Sequence, residues 1–266
     1  MIKSSAVRKF KVGSLLTLVA LAAVALPGAA SADPGASASK ATNLVHIKGL
    51  AVEVGALEKN LVGATVGVVE NSKWKTTVKA NGSYDLKVPA LTTVTRYFDI
   101  GDHLRIYTPT IRTTKTGVPR WSSLNVALPS LSLARQLANF IKIEIAEGKD
   151  APKDCVVVPL VAIKAFEKMT LAQVLARNML VGVPGAKPTI SPTKGIKALL
   201  VGVSLVSGNY TPDPARTTTD ASGLAIFIGV KPGTYRFSAT KAGERFSSFT
   251  AVCKPGRVIF GEIGQL

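Results

Sequence analysis

The chain has 266 residues, with 33 Lys and Arg against 16 Asp and Glu, a formal net charge of +17. Its two cysteines and two histidines offer neither Cys-x-x-Cys redox spacing nor a zinc-ligand spacing. The basic charge is spread, with no run longer than two residues, which argues against a specific nucleic-acid binder and its concentrated cationic stripe.

The first 32 residues read as an export signal. Lys3, Arg8, Lys9 and Lys11 form a basic leader, and Gly13 to Leu26 is an apolar run too short to span a bilayer comfortably. Pro27-Gly28 then precedes an Ala30-Ser31-Ala32 cleavage site. Cleavage after Ala32 is expected, giving a secreted or periplasmic protein; an uncleaved N-terminal anchor is the alternative. No Cys follows the site, which argues against a lipoprotein anchor. The charge of +17 less the four cations of the signal is +13. That suits weak attraction to acidic envelope polymers or anionic lipid, or solubility alone. Residues 33–43 are small and polar and are expected to be a flexible leader. After the signal no transmembrane segment is expected: the apolar run Cys155 to Ile163 has nine residues, against about 20 for a spanning helix.

Residues 44–128 read as short strands: Leu44 to Leu50, Ala64 to Val69, Trp74 to Lys79, Ser83 to Val88, His103 to Tyr107 and Leu124 to Leu128. Ala80-Asn81-Gly82 between two alternating runs is a hairpin signal, because such turns need positive φ. Tyr97-Phe98 and Trp121 fall in expected loops, where exposed rings would serve a ligand. Trp74, Tyr84 and Tyr107 are expected to pack in or across strands.

The period then changes. From Ser130, Leu133, Leu137, Phe140, Ile141 and Ile145 repeat at helical spacing, with Gly148 as a C-terminal cap. Thr170 with Gln173 matches a capping box opening a second helix that ends at Gly182. Between them Val156 to Met169 is ambiguous, with helix favoured from Pro159 onward. Residues 129–183 are therefore expected to be a helical module and 184–195 a proline-rich linker. In 196–266, strands are expected at Ala198 to Val206, Arg216 to Thr219, Leu224 to Ile228, Tyr235 to Thr240, Phe246 to Val252 and Arg257 to Ile263. Asn209 to Pro214 is expected as loop.

One unit occurs twice. Leu61-Val62-Gly63-Ala64-Thr65-Val66 with Thr76 to Leu86 matches Leu200-Val201-Gly202-Val203-Ser204-Leu205 with Thr217 to Phe227. The two glycines of each copy, Gly63 and Gly82 or Gly202 and Gly223, lie about 20 residues apart. In the second copy, Thr218-Thr219-Asp220-Ala221-Ser222-Gly223, Pro232-Gly233-Thr234-Tyr235 and Lys241-Ala242-Gly243 complete a pattern that resembles the carboxypeptidase regulatory-like domain. The resemblance is clear over 197–263 and divergent over 60–128, where Ile100-Gly101-Asp102-His103 replaces the Pro-Gly-x-Tyr turn. It implies a transthyretin-type (prealbumin-like) β-sandwich, related in shape to the collagen-adhesin B-type repeat, and a non-catalytic module that packs, spaces or binds.

The local catalytic motifs are absent from the sequence, while a Ser-His-Asp triad assembled from distant segments stays open on spacing alone. Neither His46 nor His103 has a Glu three residues on, as a zinc carboxypeptidase would need. No Gly-x-Ser-x-Gly elbow and no phosphate-binding glycine loop occurs. The last strand holds no Asn for a Lys-Asn isopeptide cross-link. In an exported chain Cys155 and Cys253 are expected to form a disulfide, with two separately buried thiols as the alternative.

The expected fold is therefore mainly β with an α insert: two transthyretin-like antiparallel sandwiches, 44–128 and 196–266, linked by a short helical module. No catalytic, cofactor or metal site is expected. The expected role is structural or binding, at the cell envelope, toward an acidic polymer, a glycan or another protein, with Tyr97, Phe98 and Trp121 as candidate contacts. The competing class is an accessory subunit or hydrolytic enzyme with a site between the helical module and a sandwich, near Cys155.

Overall fold

Period-two alternation of apolar and polar residues builds most of the strands in the computed structural model, which describes residues 43–53, 56–118, 125–140, 154–169, 173, 174, 177, 180–193, 199–206, 209–213 and 215–266. The expected signal and Trp121 lie outside these residues, as do all but the last residue of the expected leader and most of the second expected helix. Strand β1 (Leu44–Glu53) buries Val45 and Ile47 and exposes His46 and Lys48. β1 pairs antiparallel with β5 (Ser83–Pro89), which turns Tyr84, Leu86 and Val88 to the same core. β2 (Ala56–Asn60) folds back on the end of β1, and β8 (Val126–Leu128) runs parallel to it.

Among the described residues, nine further strands form one continuous path. From the first half come β4 (Asn71–Thr77), β3 (Thr65–Val68), β6 (Thr93–Asp99) and β7 (Ile106–Arg112); from the second, β12 (Asn209–Asp213), β11 (Leu199–Val206) and β13 (Ala225–Val230). Between them lie β9 (Cys155–Ala162) and the C-terminal strand β16 (Val258–Gly264). β16 is parallel to both its neighbours: Val258 faces Val156 and Ile106, and Ile259 faces Val157 and Tyr107. The last strand of the chain thus joins the two halves.

Two cores lie on opposite faces of this sheet, because neighbouring residues of a strand point opposite ways. Val156, Ile226, Val258 and Ile106 belong to one core; Val157, Phe227, Ile259 and Tyr107 belong to the other. The β1–β5 sheet covers the first core. So does the helix α1 (Leu131–Phe140), through Leu131 and Ala134. Ser130 caps that helix, its Oγ accepting from Leu133 N at 3.2 Å. A three-stranded sheet, β10 (Lys187–Ser191), β14 (Gly233–Thr240) and β15 (Phe249–Cys253), covers the second core. There Phe237 stacks on Phe249 at 5.2 Å and meets Phe227 edge-on at 5.4 Å.

The β-rich class is as expected, but several elements differ. The chain does not turn helical at Pro159. Instead, Cys155–Ala162 is a central strand whose valines feed both cores. Its ladder to β13 is interrupted around Pro159, which has no N–H to give. Tyr97-Phe98 is strand, not loop. Arg96 sits at an inward position between Val94 and Phe98 and hides the alternation. The expected linker contains β10, an edge strand, where Pro188 is tolerated. Asn209–Asp213 is strand rather than loop. Arg216 to Thr219 is irregular instead, with buried Thr219 donating its hydroxyl to Val183 O at 2.6 Å. His103 makes only an isolated bridge to Ser130, and the strand begins at Ile106.

The repeat is real in its turns and misleading in its pairings. Asn81 Oδ1 accepts from Ser83 N and Oγ, and Asp220 Oδ1 accepts from Ser222 N and Oγ. Gly82 and Gly223 adopt φ +76° and +73° in these turns. Yet Asn81-Gly82 does not close the expected hairpin: β4 pairs with β3, and β5, which the alignment sets against β13, pairs with β1 in a small sheet, while β13 pairs with β11 and β9 in the large one. In space β3–β4 and β11–β12 are the equivalent hairpins, and the strand beside each is β6 or β13.

Candidate functional site

An aromatic and guanidinium ladder crosses the seam between the halves. On β6, Val94, Arg96 and Phe98 point into the first core and are essentially unexposed. Arg96 Nη1 donates to Tyr84 Oη at 2.9 Å. Burial pushes the Tyr84 phenol above its ordinary range, and the neighbouring guanidinium partly opposes that shift. Phe98 meets Tyr84 edge-on at 5.4 Å. It is a core ring, and its expected ligand contact is replaced by packing.

Tyr97 points to the other face and is half-buried. Its ring occupies the room left by Gly67, where a Cβ would come within 2.6 Å of ring atom Cε1. The Arg105 guanidinium lies 5.8 Å from the Tyr97 centroid and bridges to Asp99 at 2.9 Å. Tyr107 sits 6.4 Å from Tyr97, and Arg257 lies 5.0 Å from the Tyr107 ring while donating to Val252 O at 2.9 Å. Arg105, Tyr97, Tyr107 and Arg257 thus run from β6 through β7 to the turn before β16. Each cation–ring contact is worth about 0.5–2 kcal/mol, more where water is excluded. The three arginines escaped the sequence reading; the usable signal was an Arg inside an otherwise alternating run.

A second polar cluster ties β1 to helix α1. His103, 3% exposed, directs Nδ1 to Asp102 Oδ1 at 2.7 Å and Nε2 toward Glu53 Oε2 at 3.5 Å. Lys59 bridges the same Glu53 oxygen at 2.5 Å. Leu131 N donates to Asp102 O at 2.8 Å, and Leu104 N to Pro129 O at 3.1 Å. A general base needs a ring nitrogen directed at substrate. Here Nδ1 faces the exposed Asp102 carboxylate and Nε2 the largely buried Glu53 carboxylate, so the imidazole links the two. The other histidine, His46, pairs with Asp85 at 2.8 Å on the exposed side of β1. Among the described residues no group of three or more His, Cys, Asp and Glu is placed to hold a metal ion.

Hydrogen bonding and charge from Lys59, with His103 adding to both, hold Glu53 below the ordinary carboxylate value of 4.5, against the opposing effect of burial. Its own backbone amide, then His103, lower Asp102. A lowered carboxylate stabilises the fold above its unfolded value and loses that contribution as pH falls through the folded value. Glu53→Gln is therefore expected to cost about 0.5 kcal/mol at neutral pH, a screened value for a partly exposed pair, and progressively less below pH 4.5. Urea midpoints measured from pH 7 to pH 3 check this; a constant difference would count against the pairing.

Cys155, at the start of β9, and Cys253, at the end of β15, form a disulfide with Cα atoms 5.5 Å apart. It staples the nine-stranded sheet to the three-stranded sheet across the second core, and both residues are buried. Trp121, the remaining expected contact, lies outside the described residues.

No protein-family model matches the chain, and no curated protein matches it. Among solved structures it is similar to the TIE protein of Bacillus anthracis, at 13% identity and a TM-score of 0.26, over 84% of this chain and 34% of that one. It thus spans about a third of that protein's length. It is also similar to a minor pilin of Streptococcus agalactiae, at 9% identity and a TM-score of 0.26, over 84% and 95% of the two chains. A shaft pilin of Lactobacillus rhamnosus GG gives 10% identity and a TM-score of 0.24, over 85% and 98%. Scores this low carry no weight for function, which rests on the geometry.

Proposed function

We propose that this is an exported, non-catalytic β protein with a structural or binding role at the cell envelope, secreted or periplasmic after cleavage at Ala32. The observation that carries the reading is the Cys155–Cys253 disulfide, which staples two sheets of one body. Such bonds form and persist in oxidising compartments. The seam supports a load-holding role: β16 pairs with strands of both halves, and the Arg105–Tyr97–Tyr107–Arg257 ladder crosses the same junction. The net charge of the processed chain suits an acidic envelope polymer, with a glycan or another envelope protein as the other ligand classes.

Fractionation of the producing cell, with intact-mass and thiol-alkylation analysis of the recovered protein, tests this. The expected protein starts at Asp33, carries no free thiol and co-sediments with envelope material. A cytoplasmic protein with two alkylatable cysteines would overturn the reading, and so would hydrolysis of envelope fragments by the purified protein.

A further inference from the structure

We propose that the outward face of the three-stranded sheet β10–β14–β15 is a binding surface for an acidic polysaccharide. The proposal rests on the envelope role and gives it a place on the molecule. The strands alternate, with Phe237, Ala239, Phe249 and Ala251 turned into the second core. Pairing register sets the outward residues in rows: Lys187 beside Thr240, Thr189 beside Ser238, and Ser191, Arg236 and Thr250 across all three strands. Arg236 Nε donates to Ser248 Oγ at 2.8 Å, which holds the guanidinium side chain across the sheet.

The face combines hydroxyls and cations, and none of the three strands contains an Asp or Glu. The carboxylate in the turn between β14 and β15, Glu244, is taken up by Lys241 at 2.6 Å and Gln265 at 2.9 Å. The outward face of β1 and β5 differs, since Asp85 sits there against His46 at 2.8 Å and Lys48 at 3.8 Å. Of these two outward faces, only the three-stranded sheet leaves its cations without a carboxylate among the described strand residues. Its aromatic rings, Tyr235, Phe237 and Phe249, are all buried, which removes base stacking as a mode. The outward rows offer no large apolar wedge for a bilayer. What remains is hydrogen bonding from Ser and Thr, which suits a polyol, and attraction from Lys187 and Arg236, which suits carboxylates spaced along it.

The test uses oxidised, signal-free protein and immobilised polygalacturonate, with dextran and duplex DNA as comparison surfaces. The protein is expected to bind polygalacturonate in a salt-sensitive way and dextran not at all. Lys187→Glu with Arg236→Glu is expected to weaken binding about tenfold or more. Thr240→Val with Thr250→Val, which removes hydroxyls at exposed strand positions, is expected to weaken it about threefold. Lys73→Glu with Lys75→Glu, on the distant edge strand β4, is expected to leave it unchanged. Circular dichroism and melting temperature check that each variant is folded. Equal losses from the β4 reversal and from Lys187→Glu with Arg236→Glu would overturn the proposal in favour of diffuse charge, and so would binding to DNA as tight as to polygalacturonate. An exported, envelope-bound protein whose polygalacturonate binding survives Lys187→Glu with Arg236→Glu would sink this face and leave the envelope role standing.

Discussion

Gly223→Ala is expected to destabilise the protein by about 4 kcal/mol, a large part of the 5–15 kcal/mol typical of a folded chain. Gly223 has φ +73°, which costs an L residue about 1–2 kcal/mol. A Cβ there would also meet backbone: Gly182 Cα at 2.6 Å, with Val161 O closer still. Backbone cannot swing aside. The segments would have to part, straining Val161 N to Gly223 O and Gly182 N to Ala221 O, both 2.8 Å and each worth about 1 kcal/mol. The matching glycine of the first copy makes the control. Gly82 has the same sign of φ, but its Cβ would meet the side chain of Asn60, which can rotate away. Gly82→Ala is expected to cost about 1–2 kcal/mol, mostly backbone strain. Urea unfolding of the two variants separates these cases, and equal losses would contradict the close approach of Gly182 and Gly223.

Loss of the disulfide is the other large effect. Cys155 and Cys253 are 98 residues apart, and closing a loop of that length restricts the unfolded chain by about 4–5 kcal/mol. Cys155→Ala with Cys253→Ala is therefore expected to lower stability by about 2–5 kcal/mol and the melting temperature by about 10 °C. The damage should centre on the second core, where β15 would lose its covalent tie to β9. An unchanged melting temperature in this variant, against parent protein shown by alkylation to hold no free thiol, would contradict this placement.

Much of the fold is readable locally. The turns at Asn81-Gly82 and Asp220 to Gly223 announce themselves, because Asx side chains and positive-φ glycines are short-range devices. Alternating runs such as Leu44 to Leu50 and Tyr235 to Thr240 are strands as read, Ser130 caps a helix, and the two cysteines pair. The misses share a cause: a residue whose local preference is overruled by its place in a sheet. Arg96 is inward because Tyr84 Oη accepts from it, Pro159 interrupts a ladder, and Pro188 lies on an edge. Strand pairing could not be read at all. The match of β5 to β13 is a match of turns, and nothing within ten residues of β16 tells that it runs parallel between β7 and β9. The same limit hid the candidate site. Tyr97 could be named from the chain, but its partners Gly67, Arg105 and Tyr107 come together only through cross-strand register.

The central claim is that the two copies form one body through a shared sheet, closed by the C-terminal strand. The contacts of Ala41–Leu266 group as a single unit, consistent with that claim. Differential scanning calorimetry of the oxidised, signal-free protein tests it most directly. A shared sheet predicts one transition, with calorimetric and van't Hoff enthalpies in agreement. Two resolved transitions, one for residues 44–128 and one for 196–266, would contradict it.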